Sequence, residues 1–105
     1  MKYVLAYYGG SMAETPEEQA KVMEAWGAWF GGLGANLVDG GVPFTGNVKS
    51  VSSDGSATDG PIGERATGYS IVSADNLDAA TEIAKGCPVL QSGGSIAVYE
   101  GQDMM

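Results

Sequence analysis

Asp59, Glu64 and Arg65 fall within one short stretch and are the best polar constellation in the chain. Two carboxylates beside a guanidinium could grip a small polar ligand, and one carboxylate could serve as a general base. Asp59 is the candidate catalytic group, with Glu64 and Arg65 (the single arginine) as candidate ligand-binding groups. The stretch also has a plainer explanation. In Asp59-Gly60-Pro61, Asp opens turns, Gly tolerates unusual φ and Pro fixes φ. Arg65 then needs only to pair with a neighbouring acid. Asp59 matters to function on condition that its loop closes over a cleft between two subunits.

Trp26, Trp29 and Phe30 could line a pocket for an aromatic ligand. Residues at this helical spacing more often belong to a core. Trp26 is the choice for a cleft residue, because its neighbour Gly27 would let another element approach. Tyr7, Tyr8, Tyr69 and Tyr99 fall on strand-like segments. One of them, with Tyr7 and Tyr69 preferred, could orient a ligand or donate a proton. The commoner fate is packing with the hydroxyl at a rim. Cys87 is the lone cysteine, so the chain can form no internal disulfide. It follows a helix end, where the dipole opposes a thiolate, and the sequence holds no histidine to act as its base. It reads as structural. The acids show no calcium-loop spacing, and the glycine pairs match no phosphate loop. No metal and no cofactor are expected.

These residues must be positioned by a small set of elements. Lys2 to Tyr8 reads as a strand ending at Gly9-Gly10. Thr15-Pro16-Glu17-Glu18 starts a helix: Thr15 as N-cap, Pro16 in the first turn and Glu18 completing a capping box. Val22, Trp26, Trp29 and Leu33, with Met23 and Phe30 alongside, form its apolar face. Gly31, Gly32 and Gly34 end it. Asn36 to Val42 predicts a short strand kinked at Asp39-Gly40-Gly41. Asn47 to Ser53 predicts another, followed by a turn at Asp54-Gly55. Ser56 to Arg65 reads as mostly loop, and Ala66 to Ser73 as a strand. Asp75 or Ser73 caps a second helix with Leu77, Ala80, Ile83 and Ala84 inward, stopped by Gly86-Cys87-Pro88. Ser95 to Glu100 is the last strand.

Strand, helix, three strands, helix, strand is the order of a ferredoxin-like α+β sandwich. Both helices would cover one face of an antiparallel sheet. The chain has 105 residues, which predicts one domain over 1–100 and a flexible tail over 101–105. With 44% apolar and 17% charged residues it is globular. The formal charge of −8 opposes binding to nucleic acid or to an anionic membrane. The apolar run after Lys2 is too short for a signal-peptide core or a membrane span, so a cytoplasmic location is expected.

A sheet with one wet face should alternate apolar and polar residues. The first strand does not: Tyr3, Leu5 and Tyr7 are apolar, and so are Val4, Ala6 and Tyr8. Tyr69, Ile71 and Val72 repeat the pattern. Two helices cover one face only, so a second copy of the chain is expected on the other, as a sheet-to-sheet homodimer.

Asp59-Gly60-Pro61-Ile62, followed by Gly68-Tyr69-Ser70-Ile71-Val72 and Asp78-Ala79-Ala80, resembles the YCII-related family. It is nearest the branch with an Asp-Gly-Pro-Phe signature, whose Phe is Ile62 here. Met1-Lys2-Tyr3-Val4-Leu5, the Trp-containing first helix ending in Gly34, and Pro88 fit the same pattern. The resemblance covers nearly the whole chain and rests on the order of short motifs. It implies a ferredoxin-like subunit, a dimeric α+β barrel and a cleft between subunits. The wider family's proposed catalytic pair is a His and an Asp, and this chain has no His. The expected function is therefore to hold a small polar or aromatic metabolite in a dimer cleft. The alternative is a cofactor-free enzyme using an Asp or Glu as general acid or base.

Overall fold

The computed structural model describes residues 1–10 and 14–102. Strand β1 (Lys2–Tyr8) is apolar on both faces, and it occupies the interior of a four-stranded sheet. Strand β2 (Leu37–Asp39) forms one edge, next to β5 (Ala66–Ser73), and β6 (Ser95–Glu100) forms the other edge. The order β2-β5-β1-β6 is antiparallel throughout. Register sets Tyr3 against Val72, Leu5 against Ser70 and Tyr7 against Gly68.

Helices α1 (Pro16–Leu33) and α2 (Leu77–Ala84) cover the face carrying those residues. Tyr3, Leu5, Tyr7 and Val72 are buried there with Ala80, Ala84, Cys87 and Val89. Trp26, Trp29 and Leu33 pack on this cluster from α1. The chain is thus the ferredoxin-like α+β sandwich its element order predicts.

Several expectations shift. The Thr15 side chain caps α1 by accepting from the Glu18 N–H at 3.1 Å. The Glu18 carboxylate accepts from the Glu14 N–H, one residue earlier than a closed capping box requires. Val22 and Met23 are exposed, and no residue of α1 is fully buried. Asn76, and not Asp75 or Ser73, caps α2: its side chain accepts from the Ala79 N–H at 2.8 Å. Leu77, in the first turn of α2, stays exposed. Of the tail expected over 101–105, Gly101 is tied to the sheet through its N–H to the Lys2 carbonyl at 2.9 Å. Residues 103–105 lie outside the described residues.

The largest correction concerns Ser56 to Arg65. Strand β3 is Lys49–Val51, shorter than expected, and it pairs with β4 (Ala57–Asp59) in a separate two-stranded hairpin. The Asp54-Gly55 turn closes it, with the Asp54 carboxylate accepting from the Ser56 N–H and hydroxyl. Every residue of β4 is exposed, so no apolar alternation announces it. The hairpin stands away from the sandwich. The radius of gyration is 15.1 Å, where a compact chain of this length has about 13 Å.

Candidate functional site

A cavity of about 310 Å³ opens between α1 and the β5 side of the sheet. Trp26 and Phe30 form its α1 wall. Tyr7, Thr67, Gly68 and Tyr69 come from the sheet, and Gly40 to Pro43 form the loop wall, with Val89 beside them. No charged side chain is among the lining residues.

Each wall has a local cause. The period of α1 turns Trp26 and Phe30 the same way, and the two rings stand 5.6 Å apart. Trp26 meets Tyr7 edge-on at 5.4 Å. Gly68 lacks a side chain where the loop crosses, and an added Cβ would stand 3.2 Å from the Val42 carbonyl oxygen. Within β2 the register shifts between Leu37 and Asp39, and beyond it the chain meets β5 again through a bridge between Pro43 and Gly68. Gly41 makes that path possible. Its φ is +72°, and a Cβ there would overlap the Tyr69 carbonyl.

A hydrogen-bonded chain ties the floor to the loop. The Tyr7 hydroxyl donates to Ser70 Oγ at 2.7 Å, and Ser70 Oγ donates to the Gly40 carbonyl at 2.8 Å. Ser70 is fully buried. Burial raises the Tyr7 phenol above its ordinary range, and the Ser70 bond opposes this only in part. Burial likewise raises the Cys87 thiol, against smaller contributions from the Val89 backbone and Tyr7.

The sign of the pH effect follows. Unfolded Cys and Tyr titrate near about 8.5 and 10, and both folded values lie higher. The native chain therefore keeps protons that the unfolded chain releases. Their contribution is full below about pH 8.5 and is lost as pH rises. Urea midpoints measured from pH 8 to 11 are expected to fall steadily. A flat profile to pH 11 would contradict this placement of Tyr7 and Cys87.

Tyr7 and Trp26 thus meet at one cavity; Tyr69 borders it from a strand position whose side chain faces the other side of the sheet, against Phe44. Asp59, Glu64 and Arg65 do not join them. Asp59 pairs with Lys49 at 3.1 Å with both side chains largely in water. Arg65 donates to the Thr45 carbonyl at 3.3 Å on the surface. Glu64 and Arg65 border an open groove under the hairpin, and Asp59 and Arg65 border a second one. Exposed pairs contribute little. Asp59→Ala is expected to leave the melting temperature unchanged within error, as calorimetry would show. Trp29 lies outside the cavity, its indole N–H reaching the Ile83 carbonyl at 3.4 Å. No neighbour approaches Gly27, so that glycine does not explain why Trp26 faces the cavity.

Ser70 and Gly68 stand out in the sequence only as parts of a family motif and Gly41 only as a kink, and none is given a part in a site. A serine at an inward position between Gly68 and Val72, and a glycine inside a strand, are the available signals. Among the described residues no group of three or more His, Cys, Asp or Glu could hold a metal ion. No helix among them is long and apolar enough to cross a membrane.

The family model of the YCII-related domain matches residues 1–104. No curated protein matches the sequence. Among solved structures, the chain is similar to 5-chloro-2-hydroxyhydroquinone dehydrochlorinase from Burkholderia phenoliruptrix, in complex with 2,5-dihydroxybenzoquinone. The TM-score is 0.59 at 13% identity, covering 97% of this chain and 94% of that one.

Proposed function

The chain belongs to the YCII-related domain family, and from that premise we propose that its α1–sheet cavity binds a small uncharged aromatic metabolite. The observation that carries this reading is the wall itself: the rings of Tyr7, Trp26 and Phe30 around about 310 Å³, with no charged lining residue. That volume is at the low end for ligand sites. Aromatic walls reward a flat ring through burial and edge or offset stacking. A charged ligand would lose its hydration there with no counter-charge in the wall. The 2,5-dihydroxybenzoquinone held by the structural neighbour supports a single six-membered ring as the size of ligand, and not its charge.

Binding is favoured over catalysis for one subunit. General acid or base chemistry needs a titratable group within reach of the ligand. Asp59 and Glu64 are absent from the cavity wall, and the Tyr7 hydroxyl already directs its proton to Ser70.

The binding unit is a homodimer in this proposal. Val4, Ala6 and Tyr8 alternate with the buried residues of β1 and lie half-buried on the face the helices leave bare. Ile71 on β5 and the exposed Tyr99 on β6 continue that face. A four-stranded face is roughly 20 Å square. Val48, Val51 and Ile62 of the hairpin region are exposed as well. Together these surfaces approach the about 800 Å² per partner of a standard interface. Light scattering at micromolar concentration is expected to give twice the chain mass, and Ile71→Asp to give the monomer. A wild-type monomer would refute the dimer.

The test of the ligand class is a fluorescence titration on a Trp29→Phe background, where the signal reports Trp26. Hydroquinone is expected to saturate it with a dissociation constant of about 10 μM to 1 mM, and benzoate to bind at least tenfold more weakly. Equal affinity for both would refute the uncharged class.

A further inference from the structure

Tyr7 and Gly40 line the cavity, and the hydrogen bonds behind them bear on what polar group a ligand would bring to Tyr7. The Gly40 carbonyl can only accept. Ser70 Oγ lies 2.8 Å from it, so the one serine proton is committed there. The 2.7 Å contact between Ser70 Oγ and the Tyr7 oxygen then has one possible donor, the tyrosine. With its proton spent on Ser70, the Tyr7 oxygen keeps only lone pairs. The Cys87 thiol beside it is at most a weak donor and leaves a lone pair free.

We propose that Tyr7 acts as a hydrogen-bond acceptor in this cavity, held in that role by Ser70, and that it selects aromatic ligands bearing a donor hydroxyl. This inference rests on the cavity being the ligand site. Ser70 is a positioning residue: it touches no ligand and sets the direction of the Tyr7 hydroxyl. A phenol or hydroquinone brings its own proton to the Tyr7 oxygen. A ring of equal shape whose substituents only accept, or do neither, leaves that oxygen unpaired. Sites that hydrogen-bond a ligand hydroxyl reject the analogue lacking it, because a buried polar group is stranded.

The experiment is isothermal calorimetry with hydroquinone and with 1,4-difluorobenzene, a ring of nearly the same shape that has no donor. Wild-type protein is expected to bind hydroquinone at least tenfold more tightly. Tyr7→Phe keeps the ring and removes the acceptor, and it is expected to reduce the preference to twofold or less. Ser70→Ala frees the Tyr7 proton, and it is expected to bring anisole, whose ether oxygen only accepts, to within threefold of hydroquinone. Binding of both rings by wild type with no preference would overturn the acceptor role while leaving the cavity reading intact. Binding of neither would overturn the cavity reading and this inference with it. The wild-type comparison decides the matter even if a variant fails to fold.

Discussion

Replacing Trp26 with alanine is expected to weaken binding of hydroquinone by about 30- to 100-fold, or about 2–3 kcal/mol. Trp26 is the contact point of the aromatic wall. Its ring meets Tyr7 at 5.4 Å, Trp29 at 5.7 Å and Phe30 at 5.6 Å. Alanine removes the surface on which a ligand ring lies and widens the cavity, so that a bound ring loses contact on one side. The cost to folding should be about 1–3 kcal/mol, below that of a fully buried Trp, because Trp26 is only partly buried. Calorimetry of binding and urea denaturation on the same variant separate the two effects. A variant that binds within threefold of wild type would show that the ligand lies elsewhere.

Gly41→Ala is expected to be the most damaging single methyl in the chain. Two penalties coincide. The backbone sits at φ +72°, where an L side chain is strained by about 1–2 kcal/mol. The new Cβ would also overlap the Tyr69 carbonyl, which belongs to a paired strand. The loop must therefore lift away from β5, and overpacking of this kind costs about 1–3 kcal/mol more. The total, about 2–5 kcal/mol, corresponds to a melting-temperature loss of roughly 10 °C or more for a domain of this size. Lifting the loop would also move Gly40 and break its bond from Ser70, so binding should fall along with stability. Gly55→Ala is the matched control. Its φ of +89° carries similar strain, but nothing lies within 4 Å of an added Cβ. A Gly41 variant no less stable than the Gly55 one would remove the close approach from the account.

The sandwich was legible because its signals are local and strong. Lys2 to Tyr8 declares an interior strand by being apolar on both faces, and Thr15-Pro16 declares a helix start. The order of Asp59-Gly60-Pro61, Gly68 to Val72 and Asp78 to Ala80 pointed to the family that the match over 1–104 establishes. Tyr7 and Trp26, named as binding candidates by residue type and element, line the cavity, whereas the Tyr69 ring faces the other side of the sheet. The hairpin was less legible. Ala57 to Asp59 bury nothing, so their pairing with Lys49 to Val51 is set by the Asp54-Gly55 turn and leaves no hydrophobic pattern. That pairing, in turn, holds Asp59 outward against Lys49. The Tyr7–Ser70–Gly40 chain was illegible for a different reason. It joins residues far apart in sequence, and only the register of β1 with β5 and the shifted register of β2 on β5 bring them together.

The measurement closest to the central claim is a two-dimensional NMR titration of isotope-labelled protein with hydroquinone. The account predicts saturable shifts at the Trp26 indole N–H and at the amides of Gly41, Gly68 and Tyr69, with Asp59 and Arg65 unmoved. Shifts centred on Asp59, Glu64 and Arg65 with a still Trp26 would contradict it, and would return the site to the hairpin.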